Sequence, residues 1–302
     1  MNRIVGEFDQ GIPGPLIILV GGIHGNETEG VKAIETEFSE LNRKNYPIRG
    51  KIVGLRGNLS ALAAKRRYIE YDLNRCWRED HLQYLLQNKE KLHIVEDQEA
   101  LAVLEILEHY LQAAYEKKIL IDLHATSSNK GSFIIIPEYY AAHPLVKSLH
   151  LPVILNLESY LKGTLSNYAC ERGMVAFAFE GGLFGSQEAL DIHTAGVWEI
   201  LQTAGSISYQ TANNFTTYRN LLQLQAQGLP ELVHVTGIHW VHEGDQFSMK
   251  SGYENFTPVQ KDEVLAYDKY GPVKAPRSGM IFMPLYQNQG NDGFFIVEKV
   301  KK

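Results

Sequence analysis

A chain of 302 residues exceeds an average domain of ~150 residues, so one large domain or a domain with an appendage is expected. Hydrophobic residues make up 44% and charged residues 21%, with 26 glycines and 11 prolines, which excludes a disordered, collagenous or coiled-coil chain. With 29 Lys+Arg against 35 Asp+Glu, the net charge of −6 supplies no field for a nucleic-acid backbone, and a small-molecule partner is expected instead.

From the start of the chain, Met1–Gln10 carries acids and no apolar segment. The longest apolar runs, Leu16–Val20 and Phe133–Ile136, fall far short of the ~20 residues that span a bilayer. A cytoplasmic protein with no membrane partner is expected. Leu16–Val20, closed by Gly21-Gly22, has the pattern of a strand buried on both faces of a mainly parallel sheet. A helix follows, because Val31, Ile34, Phe38 and Leu41 recur at spacings of three and four from Thr28 to Leu41. Lys51–Leu55 reads as a second strand. The strongest helix opens at Asp97, with Leu101, Leu104, Leu107 and Leu111 on one face and Lys117 and Lys118 beyond its carboxyl end. Ile119–His124 comes next as a strand. Ser132–Ile136, Val153–Leu155 and Met174–Phe179 are further strands, and Ser186 to about Gln202 is a helix; such alternation indicates an α/β layered domain. From about Glu231 the pattern changes to short alternating pieces at Val233–Val241, Phe247–Ser251, Gly271–Ala275 and Gly293–Val297. The expected organisation is a domain over residues 1–228, including a connection near 205–228, and a smaller β-rich domain over 229–302. Cys76 and Cys170 form no C-x-x-C pair and read as small buried side chains.

Four clusters carry chemistry. His24-Gly25-Asn26-Glu27 stands directly after the first buried strand, at a carboxyl end where ligands bind in open α/β sheets. Gly25 permits the tight backbone that brings His24 and Glu27 onto one cation, whereas H-x-x-E alone is equally a solvated turn. His124 ends a second buried strand and can reach the same crevice. Two histidines and one glutamate leave a position vacant for water, which marks a catalytic rather than a structural zinc site; the competing reading of His124 is a satisfied core histidine. Arg66-Arg67-Tyr68-Ile69-Glu70-Tyr71-Asp72-Leu73-Asn74-Arg75 has little periodicity and places three arginine forks in ten residues, suited to carboxylates but also to a solvated loop. Glu180 follows the apolar run Met174–Phe179, where burial raises a carboxyl pKa towards the range useful for proton transfer, unless an arginine pairs with it.

Taken together, Gly22-Ile23-His24-Gly25-Asn26-Glu27, Arg67 to Arg75, Asp122-Leu123-His124 and Phe179-Glu180-Gly181-Gly182 resemble the succinylglutamate desuccinylase and aspartoacylase family of the zinc carboxypeptidase superfamily, in order and spacing. The resemblance implies a zinc-carboxypeptidase-like mixed sheet flanked by helices, followed by a smaller β-rich domain. It also implies one zinc ion held by His24, Glu27 and His124, with Glu180 as the base that activates water and later protonates the leaving amine. Arg67 would stabilise the oxyanion, Asn74 and Arg75 would hold the substrate's α-carboxylate, and Asp72 would orient His24 through its other ring nitrogen. The family's arginine and tyrosine that read an acidic side chain have no aligned counterpart; Tyr160, Thr164 and Arg172 lie in that region. His234, His239 and His242 do not share one strand face and read as surface histidines. The implied activity is hydrolysis of the amide bond of a small N-acyl amino acid. The alternatives are a metallocarboxypeptidase acting on a peptide or cell-wall fragment, and a non-catalytic ligand-binding relative.

Overall fold

The computed structural model describes residues 1–128, 131–208 and 215–300. In chain order the first half comprises β1 (Ile4–Asp9), β2 (Leu16–Gly21), α1 (Glu29–Lys44), β3 (Lys51–Arg56), α2 (Leu59–Ala64), α3 (Glu79–Gln87), α4 (Val95–Gln112) and β4 (Lys118–Thr126). There follow β5 (Phe133–Ile135), α5 (Pro144–Ser148), β6 (Val153–Leu155), α6 (Leu165–Glu171), β7 (Val175–Leu183), α7 (Gln187–Thr203) and α8 (Phe215–Gln225). The β-rich remainder comprises β8 (Leu232–Trp240), β9 (Ser248–Met249), β10 (Pro258–Val259), β11 (Val264–Asp268), β12 (Gly271–Lys274), β13 (Gly279–Phe282) and β14 (Asp292–Lys299). The expected α/β architecture is present. Residues 209–214 of the expected connection lie outside the described residues.

The main sheet runs β1-β3-β2-β4-β7-β5-β6-β8-β14-β13-β10. Its heart is parallel, β3 and β4 flanking β2 and β7 pairing with β4, while β1, β5 and β14 run antiparallel to a neighbour. Every residue of β2 is buried, because alternate side chains feed opposite cores. Ile17 and Leu19 join Ile34 and Phe38 of α1 and Trp198 of α7 on one face. Leu16, Ile18 and Val20 join Leu82 of α3, Leu107 of α4 and Tyr168 of α6 on the other. The C-terminal strands continue the same sheet: Phe295 and Val297 of β14 pack against Phe133 and Val233, while Phe294 and Ile296 face a small core closed by the β12-β11-β9 sheet. Cys76 and Cys170 are free and buried, as expected. His239 corrects the surface reading, since it stacks between Phe247 and Phe294; His242 is exposed beside Asp245, and His234 is half-buried near Glu138. Among the described residues, no helix is long and apolar enough to cross a membrane.

Parallel register sets the functional edge. Gly21 of β2 pairs with Leu123, and His124 of β4 pairs with Glu180 of β7. The ends of three neighbouring strands therefore meet at one rim, where the crevice of an open α/β sheet lies.

Glu37 is an exception in the packing. It lies on the buried side of α1, both carboxyl oxygens lack a hydrogen-bond partner, and burial pushes its pKa well above the usual carboxylate range. A proton retained in the folded state and lost from the unfolded one makes stability fall as pH rises above about 4.5. Glu37→Gln is therefore expected to gain on the wild type, by about 1–3 kcal/mol between pH 5 and pH 8, in urea unfolding at each pH. A pH-independent difference would show that Glu37 is ionised in the fold.

Candidate metal centre

The turn after β2 is held by close backbone contacts. Gly22 sits at φ +72°, and a Cβ on Gly25 would fall 2.0 Å from the carbonyl carbon of Ala61. Only glycine lets this turn press against α2. The Gly25 amide donates to the Arg67 carbonyl at 3.2 Å, which ties the turn to the arginine loop. That loop, read from sequence as aperiodic, is irregular apart from a short 3-10 turn at Leu73–Arg75. It is anchored from below by Glu96 at the start of α4. This buried carboxylate accepts the amides of Ile69 at 2.7 Å and Glu70 at 3.0 Å and the Asn58 side-chain amide at 3.1 Å. Sequence reasoning missed Glu96, because an acid in a helix's first turn is ordinarily explained by the helix dipole alone.

His24, Glu27 and His124 converge: each offers one ligand atom, and these atoms lie within 4.8 Å of one another. Glu27 Oε1 lies 2.9 Å from His24 Nδ1, and its Oε2 lies 3.0 Å from His124 Nδ1. The opposite ring nitrogens are also engaged. His24 Nε2 is 3.0 Å from Asp72 Oδ1, and His124 Nε2 is 2.8 Å from Asp122 Oδ2. Each imidazole thus turns Nδ1 towards the centre and Nε2 towards a carboxylate; at His24 this is the hydrogen-bonded pairing that fixes ring orientation and raises ligand basicity at metal sites, whereas Asp122 approaches His124 as an ion-pair contact without hydrogen-bond geometry. All three central side chains are buried.

The electrostatics describe a tightly interlocked cluster of opposite charges. Against the desolvation of its full burial, His24 and His124 hold Glu27 well below the usual carboxylate range, and His24 and Arg67 do the same for the half-buried Asp72. His124 is held well above its usual value, against burial, by Asp122 and Glu27. Arg67 donates to Glu27 Oε1 at 3.1 Å and to Asp72 Oδ2 at 3.0 Å, and is the guanidinium nearest the centre. Glu180, on the strand beside His124, is pushed up to about 7 by burial, and its Oε2 is buried without a hydrogen-bond partner. Two imidazoles, one carboxylate and an adjacent unpaired buried carboxylate oxygen match the donor set of a three-ligand zinc site. Oxygen-only ions such as Mg²⁺ or Ca²⁺ fit two imidazoles poorly.

The remaining expected residues also reach the crevice. Asn74 Nδ2 lies 3.3 Å from His124 Nε2, while its Oδ1 accepts the Leu165 amide at 2.9 Å and so fastens the loop to α6. Arg75 donates to the Asn74 carbonyl at 2.8 Å and pairs with Asp292 from the C-terminal part. Thr164 lines the crevice with Ser166 and Asn167. Arg172 stacks on Tyr168, 3.7 Å from the ring centroid, and donates to Glu79, outside the crevice. Sequence reasoning missed the C-terminal contributors: Met283 and Asp292 line the crevice, Gln287 accepts from Asn26 at 2.9 Å, and Gln289 accepts the Arg67 amide at 3.1 Å. No periodicity or motif marks residues that arrive from so far along the chain.

Comparison with known proteins places this geometry. The family model described as the succinylglutamate desuccinylase/aspartoacylase catalytic domain matches residues 13–203. The chain belongs to the succinylglutamate desuccinylase/aspartoacylase family. A probable aspartoacylase from Trichodesmium erythraeum (strain IMS101) is 30% identical over 175 residues, covering 55% of this chain and 55% of that protein. The match therefore spans about half the length of that curated relative. Succinylglutamate desuccinylases from Vibrio cholerae and Chromobacterium violaceum share the fold. The first has a TM-score of 0.65 at 20% identity, covering 95% of this chain and 82% of that one. The second has a TM-score of 0.66 at 18% identity, covering 96% and 86%.

Because Asp72 accepts from both His24 and Arg67, the Asp72→Asn variant is expected to bind zinc about 10–100-fold more weakly in competition with a chromophoric chelator. Unchanged affinity would show that His24 needs no such support.

Proposed function

We propose that the protein is a zinc-dependent amidohydrolase that removes the acyl group from a small N-acyl amino acid. The observation that carries this reading is the convergence of His24, Glu27 and His124, with the buried, unpartnered Oε2 of Glu180 on the strand beside His124, in a chain of a deacylase family. A zinc ion held by those three side chains would polarise an amide carbonyl and lower the pKa of water to about 7. Glu180 takes a proton from the attacking water and returns it to the leaving amine, so no covalent intermediate is needed. Arg67, fixed by Glu27 and Asp72, faces the crevice where charge develops on the amide oxygen. Arg75 exchanges Asp292 for the substrate's α-carboxylate, which its fork can grip at two points. Asn74 completes that grip while keeping the loop against α6.

One observation favours a second reading. A cleft of about 810 Å³, walled in part by Tyr68, Tyr71, Trp240 and Phe247, opens beside Asp72, Arg75 and Asp292. Its size accommodates an extended peptide, and a metallocarboxypeptidase would cut such a chain next to the same recognised carboxylate. Parallel assays of N-acetyl amino acids and N-blocked dipeptides separate the two.

Removing the proposed base tests the mechanism. Glu180→Gln is expected to retain zinc and lose at least about 1,000-fold in kcat on any N-acyl amino acid the wild type cleaves. Near-normal turnover would remove Glu180 from the mechanism.

A further inference from the structure

The crevice has two lobes, divided by His24, Arg67, Glu180 and Met283, which line both. Asn74 and Arg75 line only the first; on the deacylase reading above, the released amino acid therefore lies in that lobe and the acyl group in the other. The first lobe's outer wall is formed by Ile135, Leu157, Leu161 and Ala178, and Leu157, Leu161 and Ala178 are almost fully buried. Thr164, Ser166 and Asn167 add neutral groups, and Glu158 adds a carboxylate. Among the described residues, the lobe's arginines are Arg67, whose two terminal nitrogens are committed to Glu27 and Asp72 while its Nε is buried without a partner, and Arg75, which is reserved for the α-carboxylate; His24 and His124 face the metal centre. Arg172, the arginine that follows α6, turns outward onto Tyr168 and Glu79.

We propose that this lobe selects amino acids with an uncharged side chain and rejects the acidic side chains of aspartate and glutamate, with Leu157, Leu161 and Glu158 as the residues that decide. A second substrate carboxylate would be desolvated against leucine and isoleucine walls with no uncommitted terminal guanidinium nitrogen among the described residues to meet it and with Glu158 repelling it. An unpaired buried charge is among the most costly things a pocket can hold, whereas a short apolar side chain gains contact there. The second lobe reinforces the selection against anionic groups, because Asp292, which stands in it beside Ser127 and Gln287, loses its Arg75 partner once the α-carboxylate takes that arginine. The acyl group is accordingly short and neutral.

The test measures amine release by zinc-loaded wild type from N-acetyl-L-leucine, N-acetyl-L-methionine, N-acetyl-L-aspartate and N-succinyl-L-glutamate. The neutral substrates are expected to exceed the acidic ones by at least about 100-fold in kcat/KM. Glu158→Arg should narrow that ratio by at least about tenfold, mainly through a lower KM for N-acetyl-L-aspartate. Equal or better cleavage of the acidic substrates overturns the selectivity and leaves the deacylase reading standing. If none of the four is cleaved, the deacylase reading falls, and calorimetry with free L-leucine and L-aspartate decides the lobe's preference: tighter leucine supports it, while equal or tighter aspartate, or no binding by either, overturns it.

Discussion

The buried carboxylate of Glu27 is the constraint around which the rim of the sheet is arranged. One oxygen meets His24 Nδ1 and the Arg67 guanidinium; the other meets His124 Nδ1 and accepts the Ala125 amide at 3.0 Å. Four contacts on a carboxylate that is 2% exposed join the turn after β2, the arginine loop and the end of β4. A charge taken this far from water is tolerated only when each oxygen is satisfied. The glycines of the turn, the parallel register of β2, β4 and β7, and the Glu96 anchor under the arginine loop all serve to bring those partners into reach.

The C-terminal part contributes more than cover. Its strands extend the main sheet through β8 and β14, so the loop between β13 and β14 is carried rigidly to the rim. From that loop Gln287 meets Asn26 and Gln289 meets the backbone at Arg67, and Asp292 at the start of β14 occupies Arg75. On the proposed deacylase reading, a carboxylate already seated on the arginine would make a substrate exchange one ion pair for another rather than fill a bare cation, which would weaken ground-state binding while preserving orientation.

Much of this was legible in the sequence, for identifiable reasons. Buried parallel strands read as continuous apolar runs, and α1, α4 and α7 have strong helical spacing, so their positions follow within a few residues. His24, Glu27, His124 and Glu180 stand at strand ends, where chain position and chemistry coincide. What escaped is equally specific. α2 is a six-residue helix capped by Asn58, too short to show a period. β1 holds Gly6 against Phe38 of α1, and its alternation is interrupted there. Asp292 and Arg75 are 217 residues apart, and only the sheet order brings them together. Glu96 looks like a helix-dipole partner until the loop that folds over it is seen.

The central claim is that Glu27 and two histidines make one metal site, and zinc content tests it most directly. Elemental analysis of untagged protein after zinc loading and dialysis is expected to find about one zinc per chain in the wild type. The Glu27→Ala variant should hold almost none while keeping its far-UV circular dichroism. Absence of zinc from the wild type after loading, or equal zinc in a folded Glu27→Ala variant, would contradict the account.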